Sequence, residues 1–510
     1  MSVTLLYSRL VLPVTLMLVS AASMALEIVA GRALAPYVGM SLYSWTVIIA
    51  VVLAGLSIGH WLGGLIADRY TALRIWVAGT LAVATITTLA SLGLLKVIEP
   101  AVSGSDPISH VAWLSMGAFF APSALAGIIS PVLTKIALDE TEPNRHGRVL
   151  GLMFALGAFG AIVGTLLAGL VFISWIGTTG SVIVIAALYG LLSLAFFPVF
   201  FKAGTSVALV IVTGLAVYQP QRLGLGTSCL EETSYFCVRV DDVVFNGRQS
   251  RLMALDHLAH GINDAQDPEM LLSAYVQGVD EIVRTRFPEP GISAFFMGGG
   301  AYTLPRAWQS AYPEGRFTIA EIDPAVTRIA DEEFWFDPGA NTRILHGDAR
   351  RILSELPRDE TFDVIFGDAF HDITIPPHLV SDEFHTLVKS RLNDGGVYVV
   401  NVLERFGQPA LLLSLVKTLQ ARFNTVELWL DLDSVPEVDA RVTWIVLATD
   451  IPTPTGTFEA KNGFYRQWAR APIKRMGEIV GEDKLVFLTD DYAPVDRLLS
   501  GVLLDARLSE

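Results

Sequence analysis

Charge is scarce in this chain, and it is unevenly spread. Lys, Arg, Asp and Glu make up 17% of the 510 residues, against 52% hydrophobic residues. A water-soluble globular protein carries roughly 25% charged residues. The deficit falls in residues 1–220, which hold 9 Lys+Arg and 7 Asp+Glu. Residues 221–510 hold the other 27 and 44, a net charge of −17. So abrupt a break is a change of solvent, from lipid to water. The acidic half lacks the clustered cations that a phosphate backbone demands, which excludes nucleic acid as a partner. Cysteine is nearly absent: Cys229 and Cys237 are the only two. They are too few for a multi-cysteine zinc cluster, so no metal is expected. Their spacing allows one disulfide, which needs an oxidising compartment.

The first half is rich in apolar length. Runs long enough to span lipid lie at 10–31, 44–67, 73–96, 110–137, 149–175, 181–201 and 204–219. That predicts about seven spans; the last is short, so six or eight stay open. The small residues at 20–25 resemble a signal-peptide cleavage site, but the apolar run continues through 28–30 and predicts an uncleaved helix. Gly151, Gly157, Gly160 and Gly164 suit close packing of membrane helices. Glu27 is ionisable within an apolar run and is a functional candidate, with a structural pair to Arg32 as the alternative. His60 reads as a packed residue. The run Gly63-Gly64-Leu65-Ile66-Ala67-Asp68-Arg69 resembles a loop of major facilitator transporters. The N-terminus and even-numbered loops hold Arg9, Arg69, Arg74, Lys135, Arg145, Arg148 and Lys202, while the odd-numbered loops hold Arg32 and Lys96. This bias puts the N-terminus in the cytoplasm of a multi-pass protein of the cell membrane. Seven spans would then put the second half outside, whereas a cytosolic nucleoside chemistry would favour the inside.

In the second half, residues 235–240 and 251–255 read as strands, with Asn246-Gly247 between them as a hairpin turn. From about residue 291, strands at 292–297, 316–320, 343–345, 363–366, 396–402, 425–430 and 442–448 mostly alternate with helical stretches. That pattern is a doubly wound α/β sheet, which binds ligands at the carboxyl ends of its strands. The expected architecture is a multi-pass helical membrane bundle (1–220), a small β unit with a linker helix (221–285), and a Rossmann-like α/β domain (286–510).

Chemistry-bearing residues fall at the predicted strand ends. Gly298, Gly299 and Gly300 end the first and let a ligand approach the backbone. Glu321 ends the second, where an acid can hold both ribose hydroxyls. Asp348 and Ala349 follow the third, where an acid can take an adenine amino group. No Gly-Lys-Ser/Thr follows the glycines, so a phosphate cradle is not expected. The set predicts a nucleoside without phosphates; the alternative is turns and helix caps. Asp368 ends the fourth strand, placed either to accept a proton from an attacking amine or to cap the next segment. The run 375–379 shapes a loop over the site, and His371 and Asp372 could line a substrate pocket.

Four stretches resemble the spermidine synthase (polyamine aminopropyltransferase) family, in its bacterial forms fused to a transporter-like bundle. They are Glu232-Thr233-Ser234-Tyr235, Leu255-Asp256, Met297–Gly300 with Glu321-Ile322-Asp323-Pro324, and Asp363-Val364-Ile365-Phe366-Gly367-Asp368. The resemblance covers about residues 229–450. It implies aminopropyl transfer from decarboxylated S-adenosylmethionine to a polyamine such as putrescine. It gives Glu321 the ribose, Asp348 the adenine and Asp368 the role of base, with Tyr235 and His260 toward the acceptor. Partners would be the lipid bilayer and a small-molecule amine, with a homo-oligomer left open. The chain also departs from the family: Phe236 and His260 replace glutamines, Ala301 replaces an amine-binding aspartate, and His371 replaces the second acid of Asp-x-x-Asp. The family's Asp-Glu-x-x-Tyr-His-Glu is not recognisable around Tyr275. Two rivals therefore stand: a methyltransferase using intact S-adenosylmethionine, which Ala301 favours, and a transporter or sensor with a nucleoside- or polyamine-binding domain.

Overall fold

A computed structural model describes residues 3–197, 229–370, 373–433 and 440–500. The chain divides into two compact units, residues 1–234 and 235–508. The apolar run 204–219 lies outside the described residues, as do His371 and Asp372.

The first unit is helical. Its helices are α1 (Val3–Val38), α2 (Leu42–Arg69), α3 (Leu73–Val102), α4 (Pro107–Ser115), α5 (Ala121–Asp139), α6 (His146–Leu167) and α7 (Ile173–Phe196). Among the described residues, five continuous helical stretches are long and apolar enough to cross a membrane. The fifth, Pro143–Phe196, has 54 residues. At roughly 1.5 Å per residue it would reach about 80 Å, more than twice a bilayer core of about 30 Å. Gly177 breaks it, with φ +66°.

Glycines set the helix contacts. A Cβ on Gly59 of α2 would meet the Ala124 carbonyl oxygen of α5 at 2.1 Å. One on Gly160 or Gly164 of α6 would meet the carbonyl oxygens of Met17 or Ala21 of α1 at 2.1 and 2.0 Å. These backbones approach too closely for any side chain, the usual device where lipid gives no hydrophobic drive. Gly151 has open space instead, so only part of the expected glycine row packs. Glu27 is buried and its Oε2 has no hydrogen-bond partner. Arg32 donates instead to the Thr233 carbonyl at 2.9 Å, so the expected Glu27–Arg32 pair gives way to a contact with residues just before the second unit.

The second unit begins with an antiparallel sheet of β1 (Cys237–Phe245), β2 (Arg248–Leu255) and β3 (Leu258–Asp264). Asn246 and Gly247 both have positive φ, the turn that the Asn-Gly pair predicts. The first strand starts later than the alternation suggested, and β3 was not anticipated. Neither cysteine is free: Cys229 and Cys237 are both disulfide-bonded.

After α8 (Ala274–Arg286) comes the large sheet. Its strands are β4 (Ser293–Met297), β5 (Arg316–Glu321), β6 (Thr342–His346), β7 (Phe362–Gly367), β8 (Leu392–Arg405), β9 (Thr425–Asp431), β10 (Arg441–Thr449), β11 (Thr457–Ala460) and β12 (Arg466–Arg470). They lie in the order β11-β12-β9-β10-β8-β7-β4-β5-β6. The pairs joining β8, β7, β4, β5 and β6 are parallel, and the rest are antiparallel. The parallel strands are nearly continuous apolar runs, such as Ser293-Ala-Phe-Phe-Met297, because helices cover both faces. The chain runs from β4 outward to β6, then returns to lay β7 on the other side of β4. The strand order reverses there, at the place where such sheets open a crevice. Register aligns the ends: Met297 pairs with Gly367 and Ala320, and Glu321 with His346.

Candidate active site

The aligned strand ends border a cavity of about 310 Å³ within the second unit. Gly298, Gly299 and Gly300 line it. Gly298 has φ +91°, and a Cβ there would meet the Asp368 carbonyl oxygen at 2.7 Å. Only glycine allows both the turn and the closeness of the two strand ends.

Glu321 is 4% exposed and lines the cavity. Its Oε2 accepts from the Gly299 amide at 2.7 Å, and Oε1 from the Asp323 amide at 2.9 Å. Burial pushes its pKa up, and the backbone donors pull against that. The amides fix the carboxylate plane, so its remaining lone pairs are preoriented.

Asp348 lies after β6, where its Oδ1 accepts from the Arg351 amide at 2.9 Å and caps the short helix α9 (Ala349–Glu355). The capping alternative thus holds for one oxygen. The other, Oδ2, is 2.7 Å from His378 Nε2, and both residues line the cavity with Ala349.

Asp368 follows β7 and is held on both oxygens. Tyr275 of α8 donates its hydroxyl to Oδ2 at 3.0 Å, and Asn401 of β8 donates its amide to Oδ1 at 2.8 Å. Desolvation raises the Asp368 pKa, while the Asn401 and Tyr275 hydrogen bonds lower it. Burial and the Asp368 charge push the Tyr275 pKa well up, so the phenol stays protonated and remains a donor. A desolvated carboxylate with two fixed donors and an open cavity beside it is chemically suited to general base work.

The opposite wall is mostly apolar: Phe236, Leu255, Leu258 and Leu403 line it, with Tyr235 and His260. His260 is turned to its own strand, its Nδ1 lying 3.0 Å from the Leu258 carbonyl oxygen. Ala301 is buried, with its Cβ directed at Gly261 of β3.

Tyr275 and Asn401 were not anticipated as site residues, and His378 was expected only as part of the 375–379 loop over the site. For Asn401 the signal was available: it is one amide in the run Tyr398-Val-Val-Asn401-Val-Leu403, and a polar residue inside a buried strand is informative. Tyr275 carried no such signal, since its partner lies 93 residues away.

No protein-family model matches the chain. It is 41% identical over 106 residues to a polyamine aminopropyltransferase of Vibrio vulnificus (strain CMCP6), covering 21% of this chain and 35% of that protein. It is 40% identical over 110 residues to a probable polyamine aminopropyl transferase of Bifidobacterium longum (strain NCC 2705), covering 22% and 24%. The chain thus spans about a third or less of the length of these curated relatives. Over those segments it is a relative of the polyamine aminopropyltransferases. Among solved structures, a probable spermidine synthase from Corynebacterium glutamicum ATCC 13032 is 18% identical with TM-score 0.43, covering 51% of this chain and 95% of that one. A spermidine synthase from Thermotoga maritima is 17% identical with TM-score 0.33, covering 42% and 71%.

Proposed function

We propose that the second unit is an aminopropyltransferase-type enzyme, moving an aminopropyl group from decarboxylated S-adenosylmethionine to an amine such as putrescine. The observation that carries this reading is the placement of three acids, Glu321, Asp348 and Asp368, around one cavity at adjacent strand ends. The segmental identity to polyamine aminopropyltransferases supports it. In the proposed reaction Glu321 holds the ribose and Asp348 the base. The amine lone pair attacks the methylene carbon bonded to the sulfonium. The C–S pair leaves with sulfur, giving neutral 5′-methylthioadenosine, and the amine proton passes to Asp368. Such a displacement draws its rate from alignment and a placed base.

One observation favours a second reading, a methyltransferase using the intact donor: the alanine at position 301 offers no acid to demand an amine without its carboxylate. Incubating the full-length protein with each donor and putrescine separates them. Release of 5′-methylthioadenosine from the decarboxylated donor supports aminopropyl transfer. S-adenosylhomocysteine formed only from the intact donor would overturn it.

We also propose that the first unit crosses the bilayer an odd number of times, about seven, leaving the enzyme outside the cytoplasm. The Lys/Arg bias supports a cytoplasmic N-terminus. The pairing of both cysteines in disulfide supports an oxidising compartment for Cys237. Contacts within the first unit give the third support. Met17 and Ala21 of α1 run level with Gly160 and Gly164 of α6, so these helices are parallel and Arg32 and Gly177 share one end of the bundle. Thr233 and Glu232 are at that end, through Arg32 and through the Thr178 amide at 2.5 Å from Glu232 Oε2. The end of α7 is at the other: the Ser193 hydroxyl donates to Ala78, near the start of α3. Delivery of the donor across the membrane then becomes part of the function, and buried Glu27 makes the bundle a candidate route. Intact cells treated with a membrane-impermeant thiol reagent should label Cys229 and Cys237 only after reduction. Labelling that requires lysis but no reductant would put the enzyme in the cytoplasm.

A further inference from the structure

We propose that the preferred acceptor is a primary amine with an apolar tail and no second ammonium group, putrescine being the poorer substrate. This rests on the aminopropyl-transfer reading of the cavity and adds to it the class of amine that the cavity takes. The strand order lays the two substrates out. Asp348 follows β6 and Glu321 ends β5, so the nucleoside belongs to that side of the glycines. On the other side Asp368 follows β7, and next come β8 and β10, which bring Asn401, Leu403 and Thr443 to the cavity. The nucleophile enters opposite the leaving sulfur, which puts the acceptor on this second side.

Nothing described on that side is built to take a positive charge. Gly367 pairs with Val400, so β8 runs on past the end of β7. Alternation puts Asn401, Leu403 and Arg405 on one face of the extension. The antiparallel register sets Thr443 opposite Leu403 and Arg441 opposite Arg405. The Asn401 amide is committed to Asp368 at 2.8 Å. A chain leading away from Asp368 along this face therefore meets a leucine and a threonine, and then two arginines. Phe236, Leu255 and Leu258 line the cavity as well, and Tyr235 and His260 can hydrogen-bond but are not carboxylates. Glu404 belongs to the other face of β8, where its carboxylate accepts from the Arg405 and Leu411 amides at 3.0 Å each. Among the described residues, the acids that line the cavity are Glu321, Asp348 and Asp368 alone.

The charge balance then selects the acceptor. The attacking nitrogen is neutral: its lone pair forms the new C–N bond as the C–S pair leaves with sulfur, and its proton passes to Asp368. A monoamine brings no further charge. A diamine brings a second ammonium, which would exchange water for leucine side chains and approach the arginine end with no carboxylate to pair with. An unpaired buried ammonium is strongly unfavourable, whereas a methyl group in the same place gains by leaving water.

The test compares n-pentylamine with putrescine, which carry a terminal methyl and a terminal ammonium at the same place. The full-length protein in detergent is supplied with the decarboxylated donor and each amine, and release of 5′-methylthioadenosine is followed at limiting amine. n-Pentylamine should give the higher kcat/KM by about tenfold or more. Leu403→Glu sets a carboxylate on this face and should move the ratio toward putrescine by about tenfold, with 5′-methylthioadenosine affinity in calorimetry within a factor of about two of wild type. Equal values or a preference for putrescine in the wild type, a comparison that needs no variant, would overturn the apolar-tailed acceptor and leave aminopropyl transfer standing. The ring faces of Tyr235 and Phe236 would then be the receivers of the ammonium. An unchanged ratio in a Leu403→Glu protein that still binds the nucleoside would overturn it too. If the wild type releases no 5′-methylthioadenosine with either amine, both readings fall together.

Discussion

The two walls of the cavity are built differently. On the side of Glu321 and Asp348 each acid is held by named donors: Glu321 by the Gly299 and Asp323 amides, Asp348 by the Arg351 amide and His378. On the opposite side Phe236, Leu255, Leu258 and Leu403 offer apolar surface. The first wall can meet a ligand's polar edge with preset partners, while the second offers mainly apolar surface, with Tyr235 and His260 as polar groups on it. Asp368 stands between the two, clamped by Tyr275 and Asn401.

The largest expected effect tests that middle position. Asp368→Asn should lower turnover by about 10²–10⁴-fold, while nucleoside affinity stays within a factor of a few. Retention of most of the rate would remove Asp368 as the base. Next is the polar wall: Glu321→Ala should weaken 5′-methylthioadenosine binding by about 1–3 kcal/mol in calorimetry. Unchanged affinity would remove the ribose assignment.

Tyr275→Phe tests the clamp. The Tyr275 hydrogen bond lowers the Asp368 pKa against the upward push of burial, so its loss should raise that pKa further. A base works when deprotonated, and activity falls as pH drops through its pKa. The acid limb of kcat/KM should therefore move to higher pH in Tyr275→Phe, with a rate loss of about tenfold near neutrality. A limb that stays in place would mean the tyrosine only fills space. The smallest effect is expected on the apolar wall: Phe236→Ala should raise the acceptor KM severalfold with little change in nucleoside affinity. Equal losses on both would show that the walls do not act separately.

The parallel core of the sheet was legible because its strands are apolar runs that end in a glycine or an acid. Residues 293–297 closing on Gly298 and 362–367 closing on Asp368 are the clearest examples. Strands β11 and β12 were missed: Arg466-Gln-Trp-Ala-Arg470 is short and mostly polar, as outer strands often are. Tyr275 went unrecognised because the segment around it departs from the expected motif, and only the packing of α8 on the strand ends brings its hydroxyl to Asp368. Alternation likewise gave no hint that a third strand would carry His260 to the cavity.

Composition alone separates an apolar, charge-poor half from an acidic half, because the solvent around a segment dictates how much charge it can carry. Local pattern alone puts glycines and acids at strand ends, because an apolar run must stop where the sheet meets water. What the tertiary structure decided is which of those ends are neighbours. The return of β7 to the free side of β4 brings Asp368 beside Gly298. The crossing of α8 and β8 supplies its two donors, and the prolyl loop brings His378 to Asp348. Those contacts join residues 30 to 93 positions apart, and no periodicity or propensity, which act over a few residues, can specify them.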